Sequence, residues 1–187
     1  YFVPQDVAGL IAQMGGIERF TDKLDTLFEQ GHYWHGNEPN HQIAYLYAWA
    51  GQPWKTQRRV RQIIAEEYST TPGGLSGNED GGQMSAWLVF SMAGLYPVCP
   101  GTPNYVLGSP ALNTTTLSLD SGATFTIKAK RNHPTRPYIR AAKLNGKPLT
   151  TSYLSHPQLQ AGGKLVLRMS AKPTKKHAWA SPPSLSL

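Results

Sequence analysis

Two short acidic loops contain the residues of this 187-residue chain that are best suited to chemistry. The first loop is Gly36-Asn37-Glu38-Pro39, and the second is Gly77-Asn78-Glu79-Asp80-Gly81-Gly82. Each loop precedes a segment of apolar, helix-compatible residues, and the free N–H groups at a helix start favour ionised carboxylates nearby. Two such loops that converge would form a polar pocket suited to carbohydrate chemistry or to a metal ion.

The first loop presents a carboxylate on a defined turn. Pro39 fixes its own φ and favours an extended backbone at Glu38, so the Glu38 side chain is expected to point outward. Its carboxylate could accept two sugar hydroxyls or bind a hard cation, and stabilising a helix start is the alternative. His41 has the alternative of being a satisfied surface histidine. The histidine spacings place no two ligands on one helix face, so zinc is not expected.

The second loop holds three polar side chains in a glycine frame. Its glycines permit positive φ, so Asn78, Glu79 and Asp80 can spread around one point. Neighbouring carboxylates repel, which raises the pKa of one of them unless a cation lies between them. A raised pKa suits a general acid or base, and oxygen ligands suit calcium, although the EF-hand spacing is absent. The alternative is a loop that only caps the following helix, with Asp80 as the cap.

The elements that must position these loops divide the chain into two halves. Apolar spacing and end signals predict helices in the first half, and the segment from Gln83 to Leu95 is apolar on nearly all sides, which predicts full burial. The helical segments are Asp6–Met14, Asp22–Gln30 capped by Thr21, His41–Ala50, Pro53 to about Tyr68, and Gln83–Leu95.

The second half changes character at Tyr96-Pro97, where short β-branched runs separated by turn signals begin. The runs are Tyr105–Leu107, Thr114–Leu119, Thr124–Ala129, Tyr138–Leu144 and Lys164–Met169. The sequence therefore predicts an α+β chain, with helical residues 1–95, a mainly antiparallel β-rich part over 96–171, and a flexible tail over 172–187.

Composition excludes some classes of function. The net charge of +7 is scattered and no nucleic-acid motif accompanies it, so a solvated basic surface is favoured over nucleic-acid binding. Cys99 is the single cysteine, so no disulfide can form within the chain. The apolar run from Met84 to Val98 is too short to cross a bilayer, and no membrane span is expected.

Several of these stretches together resemble the α-mannosidases of glycoside hydrolase family 92. The resemblance covers nearly all of the chain up to about Pro173. It is carried by the Gly36-Asn37-Glu38-Pro39 loop, by Gly51-Gln52-Pro53-Trp54-Lys55-Thr56-Gln57, and most closely by Leu75-Ser76-Gly77-Asn78-Glu79-Asp80-Gly81-Gly82-Gln83-Met84-Ser85-Ala86-Trp87. It continues through Gly94–Gly101, Tyr105–Pro110 and Leu144–Lys147.

The resemblance implies a calcium-dependent, inverting exo-α-mannosidase that acts on α-1,2-mannosides of glycans and is secreted or periplasmic. Family members pair an N-terminal β-sandwich with an (α/α)6 barrel, so this chain would be a C-terminal segment whose partner is the remaining N-terminal part. That part would also supply the general acid.

The resemblance also assigns roles to individual residues. Asp80 resembles the general base and Glu79 shares or supports that role, while Glu38 contacts the mannose. Asn37, His41 and Asn78 are the further substrate-binding candidates, and Glu38 and Asp80 are the candidate calcium ligands. A non-catalytic carbohydrate-binding or structural module is the main alternative function.

Overall fold

The computed structural model describes residues 1–175 and 179–186, and the first half of the chain is helical as expected. The 3-10 segment Ile43–Ala48 replaces the helix expected over 41–50, and all six of its residues are buried. The helical elements are α1 (Val7–Gln13), α2 (Ile17–Glu29), the 3-10 segments Glu38–Asn40 and Ile43–Ala48, α3 (Pro53–Glu66) and α4 (Gln83–Ala93).

Helix α2 begins at Ile17, five residues before the start at Asp22 that was predicted with Thr21 as the cap. Thr21 is only 3% exposed and lies on the buried face of the helix with Phe20 and Leu24. Its hydroxyl accepts a hydrogen bond from Gln52 Nε2 at 3.3 Å. The prediction of Thr21 as the N-cap is therefore wrong, because its hydroxyl contacts Gln52, just before α3, and not the start of its own helix.

Helix α4 is not fully buried, which contradicts the prediction from its apolar sequence. Met84, Trp87 and Ser91 lie on the buried face. On the opposite face the side chain of Val89 is 68% exposed and that of Phe90 is 38% exposed. The sequence lacks the polar face of a surface helix, and the described residues cover only one side of it.

The second half forms two sheets, and the mainly antiparallel expectation is confirmed. The elements are β1 (Leu95–Tyr96), β2 (Asn104–Leu107), β3 (Thr114–Ser118), β4 (Thr124–Lys130), β5 (Tyr138–Leu144), β6 (Lys147–Pro148), β7 (Tyr153–Ser155), α5 (His156–Gln160) and β8 (Gly163–Ser170). Strands β1, β2 and β7 form an antiparallel sheet, while the second sheet has the order β3-β4-β8-β5-β6. The pair β4–β8 is the parallel exception, reached by a crossover through β5, β6, β7 and α5.

Each half has its own apolar core. In the β half, alternation along β4 buries Phe125, Ile127 and Ala129 while the intervening residues face outward. Two hydrogen bonds from helix α3 link the helical half to the β half. Gln57 Oε1 accepts a hydrogen bond from the Ile139 N–H at 2.9 Å, and Arg61 donates one to the His133 carbonyl at 3.0 Å. The helical and β-rich parts therefore share one packed interface.

The described part of the C-terminal segment lies against both halves. Trp49 Nε1 donates to the Pro183 carbonyl at 3.1 Å, the Ala8 N–H donates to Ser184 Oγ at 2.8 Å, and the Ser152 N–H donates to the Ala180 carbonyl at 3.0 Å. Part of the predicted flexible tail, residues 176–178 and 187, lies outside the described residues. In the rest of the chain, no helix has the length and apolar content that a membrane crossing requires.

Candidate functional site

The two acidic loops meet at one cavity of about 460 Å³. Glu38, Pro39 and Gln42 line it from the first loop and the segment that follows it, and Asp80 and Gln83 line it from the second loop and the start of α4. The remaining lining residues are Phe2, Pro4, Tyr96, Pro97, Val98 and Pro100. The convergence of the loops is therefore confirmed, and two carboxylates that are 42 residues apart in sequence face the same space.

The Glu38 carboxyl group raises the pKa of Asp80. A hydrogen bond to Glu38 is the largest cause of the raised pKa of Asp80, and the negative charge of Glu38 is the second. Two ionised carboxylates are acceptors only, so this contact becomes a hydrogen bond when one of them is protonated. Glu38 Oε1 is buried and has no hydrogen-bond partner among the described residues.

The backbone of the second loop turns sharply so that the Asp80 carboxylate reaches this position. Asp80 has a φ of 43°, and Gly81 and Gly82 follow with φ of 68° and 94°. Three successive left-handed residues are sterically unfavourable for ordinary side chains, and the two glycines tolerate them. The glycine frame seen in the sequence thus allows the chain to turn sharply between Asp80 and the start of α4.

Glu79 caps helix α4, a role that the sequence analysis had assigned to Asp80 as the alternative. Its carboxylate accepts hydrogen bonds from the Ser85 N–H at 2.9 Å and from Ser85 Oγ at 2.8 Å. These two bonds lower the pKa of Glu79. The pKa of Asp80 is therefore raised by Glu38 from the other loop and not by its neighbour Glu79. The share of Glu79 in base chemistry stays a prediction.

His41 belongs to a buried hydrogen-bond network beneath the cavity. Its Nε2 lies 3.0 Å from the His35 carbonyl, and its Nδ1 lies 3.2 Å from Gln83 Nε2, which also donates to the Tyr96 hydroxyl at 3.1 Å. These partners fit a neutral imidazole with the proton on Nε2, and burial lowers the pKa of His41. Both ring nitrogens already contact protein atoms, so His41 reaches the cavity through Gln83.

His35 is a second neutral histidine in this network. Tyr33 contacts its Nδ1 at 2.8 Å, and its Nε2 contacts the Tyr68 hydroxyl at 2.7 Å. Burial, and to a lesser extent the nearby His41, lowers the pKa of His35 to about 3. Trp87 packs edge-on against the imidazole of His35 with ring centroids 4.4 Å apart. This aromatic layer forms a rigid floor under both acidic loops.

The remaining predicted residues lie at the rim, and the structure adds residues that sequence reasoning missed. Asn37 and Asn78 are exposed and do not line the cavity. Gln42, only 4% exposed, lines the cavity, and its Nε2 has no hydrogen-bond partner among the described residues. Gln83 and Tyr96 line it as well. The position of Gln42 at the end of the polar window 32–42 was the available signal.

A sequence model of the glycosyl hydrolase family 92 catalytic domain matches residues 1–171. The chain belongs to glycosyl hydrolase family 92. A relative from Arthroderma benhamiae, described as an uncharacterized secreted glycosidase, is 32% identical over 99% of this chain and 24% of its own length. The resemblance seen in the sequence is thus confirmed.

Solved structures of family 92 share this fold. The α-mannosidase BT3965 of Bacteroides thetaiotaomicron is 42% identical with a TM-score of 0.94, over 99% of this chain and 26% of that one. The inverting mannosidase BT2199 of the same organism is 39% identical with a TM-score of 0.93, over 99% and 29%. This chain therefore spans about a quarter of the length of these family 92 relatives.

The cavity has some of the features of a site for a hard cation. Glu38 Oε1, which has no hydrogen-bond partner among the described residues, and the Asp80 carboxylate could both serve as oxygen ligands. A bound cation would reduce the repulsion between the two negative charges. Within residues 1–175 and 179–186, however, no group of three or more His, Cys, Asp or Glu side chains is placed to hold a metal. The two carboxylates fit calcium as part of a ligand set that water, amide oxygens and substrate would have to complete.

Proposed function

We propose that this chain forms part of the active site of an inverting, calcium-dependent exo-α-mannosidase that cleaves α-1,2-linked mannose from glycans. Membership of family 92 and the names of the two solved relatives support the reaction class. The single observation that carries the proposal is the convergence of Glu38 and Asp80 on one cavity, with Glu38 Oε1 buried and unpartnered. A sugar hydroxyl would supply the hydrogen bond that this oxygen lacks.

In this proposal Asp80 is the general base. An inverting hydrolase needs a carboxylate that removes a proton from the attacking water. The contact with Glu38 raises the pKa of Asp80, and a pKa closer to the working pH strengthens a general base. Asp80 is exposed at the cavity, so water can reach its carboxylate.

Glu38 binds the substrate and is not the general acid. In an inverting pair the two carboxyl groups stand roughly 6.5–9.5 Å apart, which leaves room for the water. The hydrogen bond with Glu38 that raises the pKa of Asp80 implies a shorter separation than this. The general acid comes from another segment of the parent enzyme. The buried Gln42 amide, beside Glu38, donates to a further sugar hydroxyl.

Calcium would be held by the carboxylates of Glu38 and Asp80. When bound, the ion would orient sugar hydroxyls and the attacking water. The partial ligand set on this chain leaves several positions for water and substrate.

The remaining N-terminal part of the same enzyme covers the exposed face of α4. Val89 and Phe90 form an apolar face that a finished barrel would bury. Because the relatives are about four times as long as this chain, enough polypeptide exists in such a parent to cover it. The name of the Arthroderma relative supports secretion of the parent.

The test is the Asp80→Asn variant of the full-length enzyme. Asparagine tolerates the left-handed backbone at this position and keeps the size of the side chain, so the loop should keep its shape. We expect kcat for an α-1,2-linked mannobiose to fall roughly 10²- to 10⁴-fold while mannoside binding is retained. Asp120→Asn, in an exposed turn between β3 and β4, is the matched control and should be neutral. Near-normal turnover by Asp80→Asn would reject the base assignment.

The same experiment separates the alternative functions. A non-catalytic carbohydrate-binding module would bind mannosides without turnover in the wild type, so Asp80→Asn would have no rate to remove. A nucleic-acid binder would bind DNA or RNA with an affinity that falls steeply with salt. The scattered charge of the chain gives no reason to expect this.

A further inference from the structure

The two acidic loops touch each other backbone to backbone at a pair of glycines. A Cβ atom built on Gly77 would overlap the carbonyl oxygen and the Cα of Gly36. A Cβ built on Gly36 would lie 2.6 Å from the Ser76 carbonyl oxygen and 2.9 Å from Gly77 Cα. Neither glycine has a positive φ, so it is close approach and not backbone conformation that requires glycine here.

This contact stands directly beside the two carboxylates. Gly36 precedes Glu38 by two residues, and Gly77 precedes Asp80 by three. Side-chain hydrogen bonds behind the cavity also link these regions, from Gln83 to the His41 ring and from Trp87 Nε1 to the His41 carbonyl. The glycine contact is the point at which the backbones of the two loops approach each other closely.

We propose that Gly36 and Gly77 are positioning residues that set the distance between Glu38 and Asp80. This inference rests on the proposed function, in which Glu38 of one loop binds the sugar and Asp80 of the other loop is the general base. A methyl group between the loops must displace backbone and not a flexible side-chain end. Restoring ordinary carbon contacts would move the loops apart by on the order of 1 Å. A misplacement of that size between reacting groups can cost about 100-fold in rate.

The experiment compares Gly77→Ala, Gly36→Ala and the double variant in the full-length enzyme. Gly73→Ala is the matched control, because Gly73 lies only four residues before Gly77, has no atoms within 4 Å of a built Cβ, and has no positive φ. We expect kcat to fall roughly 100-fold for Gly77→Ala with a much smaller change in KM. The double variant should be little worse than the poorer single variant, because both substitutions break the same contact. Gly73→Ala should match the wild type.

Two further readouts make the outcomes distinct. Hydrogen exchange of residues 34–42 and 75–82 should rise in Gly77→Ala while exchange in β4 and β8 stays at the wild-type level. A crystal structure of the same variant should show the Glu38 and Asp80 carboxyl groups farther apart. If Gly77→Ala fails to fold, Gly36→Ala carries the kinetic test alone.

The failure of each proposal has its own pattern. Three results would each overturn the positioning role. The carboxyl groups could keep their separation in Gly77→Ala, kcat of Gly77→Ala could equal that of Gly73→Ala, or the losses in kcat of the two single variants could multiply in the double variant. A wild-type enzyme without mannosidase activity would overturn the proposed function instead. The crystal structure and the hydrogen exchange of the alanine variants would then still decide whether the glycine contact sets the distance between Glu38 and Asp80.

Discussion

Replacing Trp87 with phenylalanine tests whether the aromatic floor under the site holds the two loops in place. Trp87 is fully buried, and its Nε1 donates to the His41 carbonyl at 3.0 Å. Its ring also lies parallel to that of Tyr68, with centroids 5.9 Å apart. The indole therefore links α4 to the segment that follows Glu38 by a hydrogen bond, and to Tyr68, just after α3, by packing.

The expected cost has two parts. Phenylalanine cannot donate, so the His41 carbonyl is left buried and unpaired, which costs about 1–3 kcal/mol. The smaller ring leaves a void, and since complete truncation of a buried tryptophan to alanine costs about 3–5 kcal/mol, this partial loss costs about 1 kcal/mol. The free energy of local unfolding should therefore fall by about 2–4 kcal/mol, which lowers hydrogen-exchange protection roughly 30- to 700-fold.

The assay is hydrogen exchange of the peptide that covers α4, in the full-length enzyme. Trp34→Phe is the matched control, because Trp34 is 58% exposed and its substitution should change protection by less than about 0.5 kcal/mol. Equal protection in Trp87→Phe and Trp34→Phe would refute the reasoning, because it would mean that neither the indole hydrogen bond nor its packing stabilises this region.

Three further predictions follow from the same structure. The pKa of His35 is about 3 in the folded state and 6.5 in the unfolded state, so the contribution of neutral His35 to the free energy of unfolding is complete above pH 6.5 and is lost as the pH falls below it. The free energy of unfolding should therefore fall by about 2 kcal/mol from pH 7 to pH 5. Thermal unfolding should show a weaker decline over the same pH range in His35→Gln. Tyr45 and Ser91 share a buried hydrogen bond of 2.7 Å, so Tyr45→Phe and Ser91→Ala should each cost about 1–2 kcal/mol in denaturant unfolding while the double variant costs less than their sum. Chelation with EDTA should abolish mannosidase activity and added calcium should restore it; activity that survives EDTA would remove calcium from the proposal.

Local patterns were sufficient to predict several elements of the chain. Alternation in β4 predicted the strand Thr124–Lys130 within one residue, because one face of that strand packs on a core and the other meets solvent. The glycine frame around Asp80 likewise predicted a sharp polar turn, since positive φ is a local property of glycine. These signals depend on residues that are neighbours in sequence.

Burial and partner choice could not be predicted in the same way. The apolar sequence of α4 predicted full burial, yet Val89 is exposed because burial depends on what else packs against the helix. The sequence paired Asp80 with Glu79, its neighbour, whereas Glu79 is held by Ser85 and Asp80 faces Glu38. Electrostatic coupling depends on distance in space, and that distance was set by the packing of two loops.

The sequence by itself determined that two acidic, glycine-framed turns exist and which family they belong to, because residue type and local spacing are enough for both. Only the tertiary structure decided that Glu38 and Asp80 share one cavity and that Gly36 and Gly77 bring their loops into backbone contact. The physical reason is that a contact between segments about 40 residues apart depends on how the intervening helix α3 and the buried layer around Trp87 pack, and no local pattern encodes that packing.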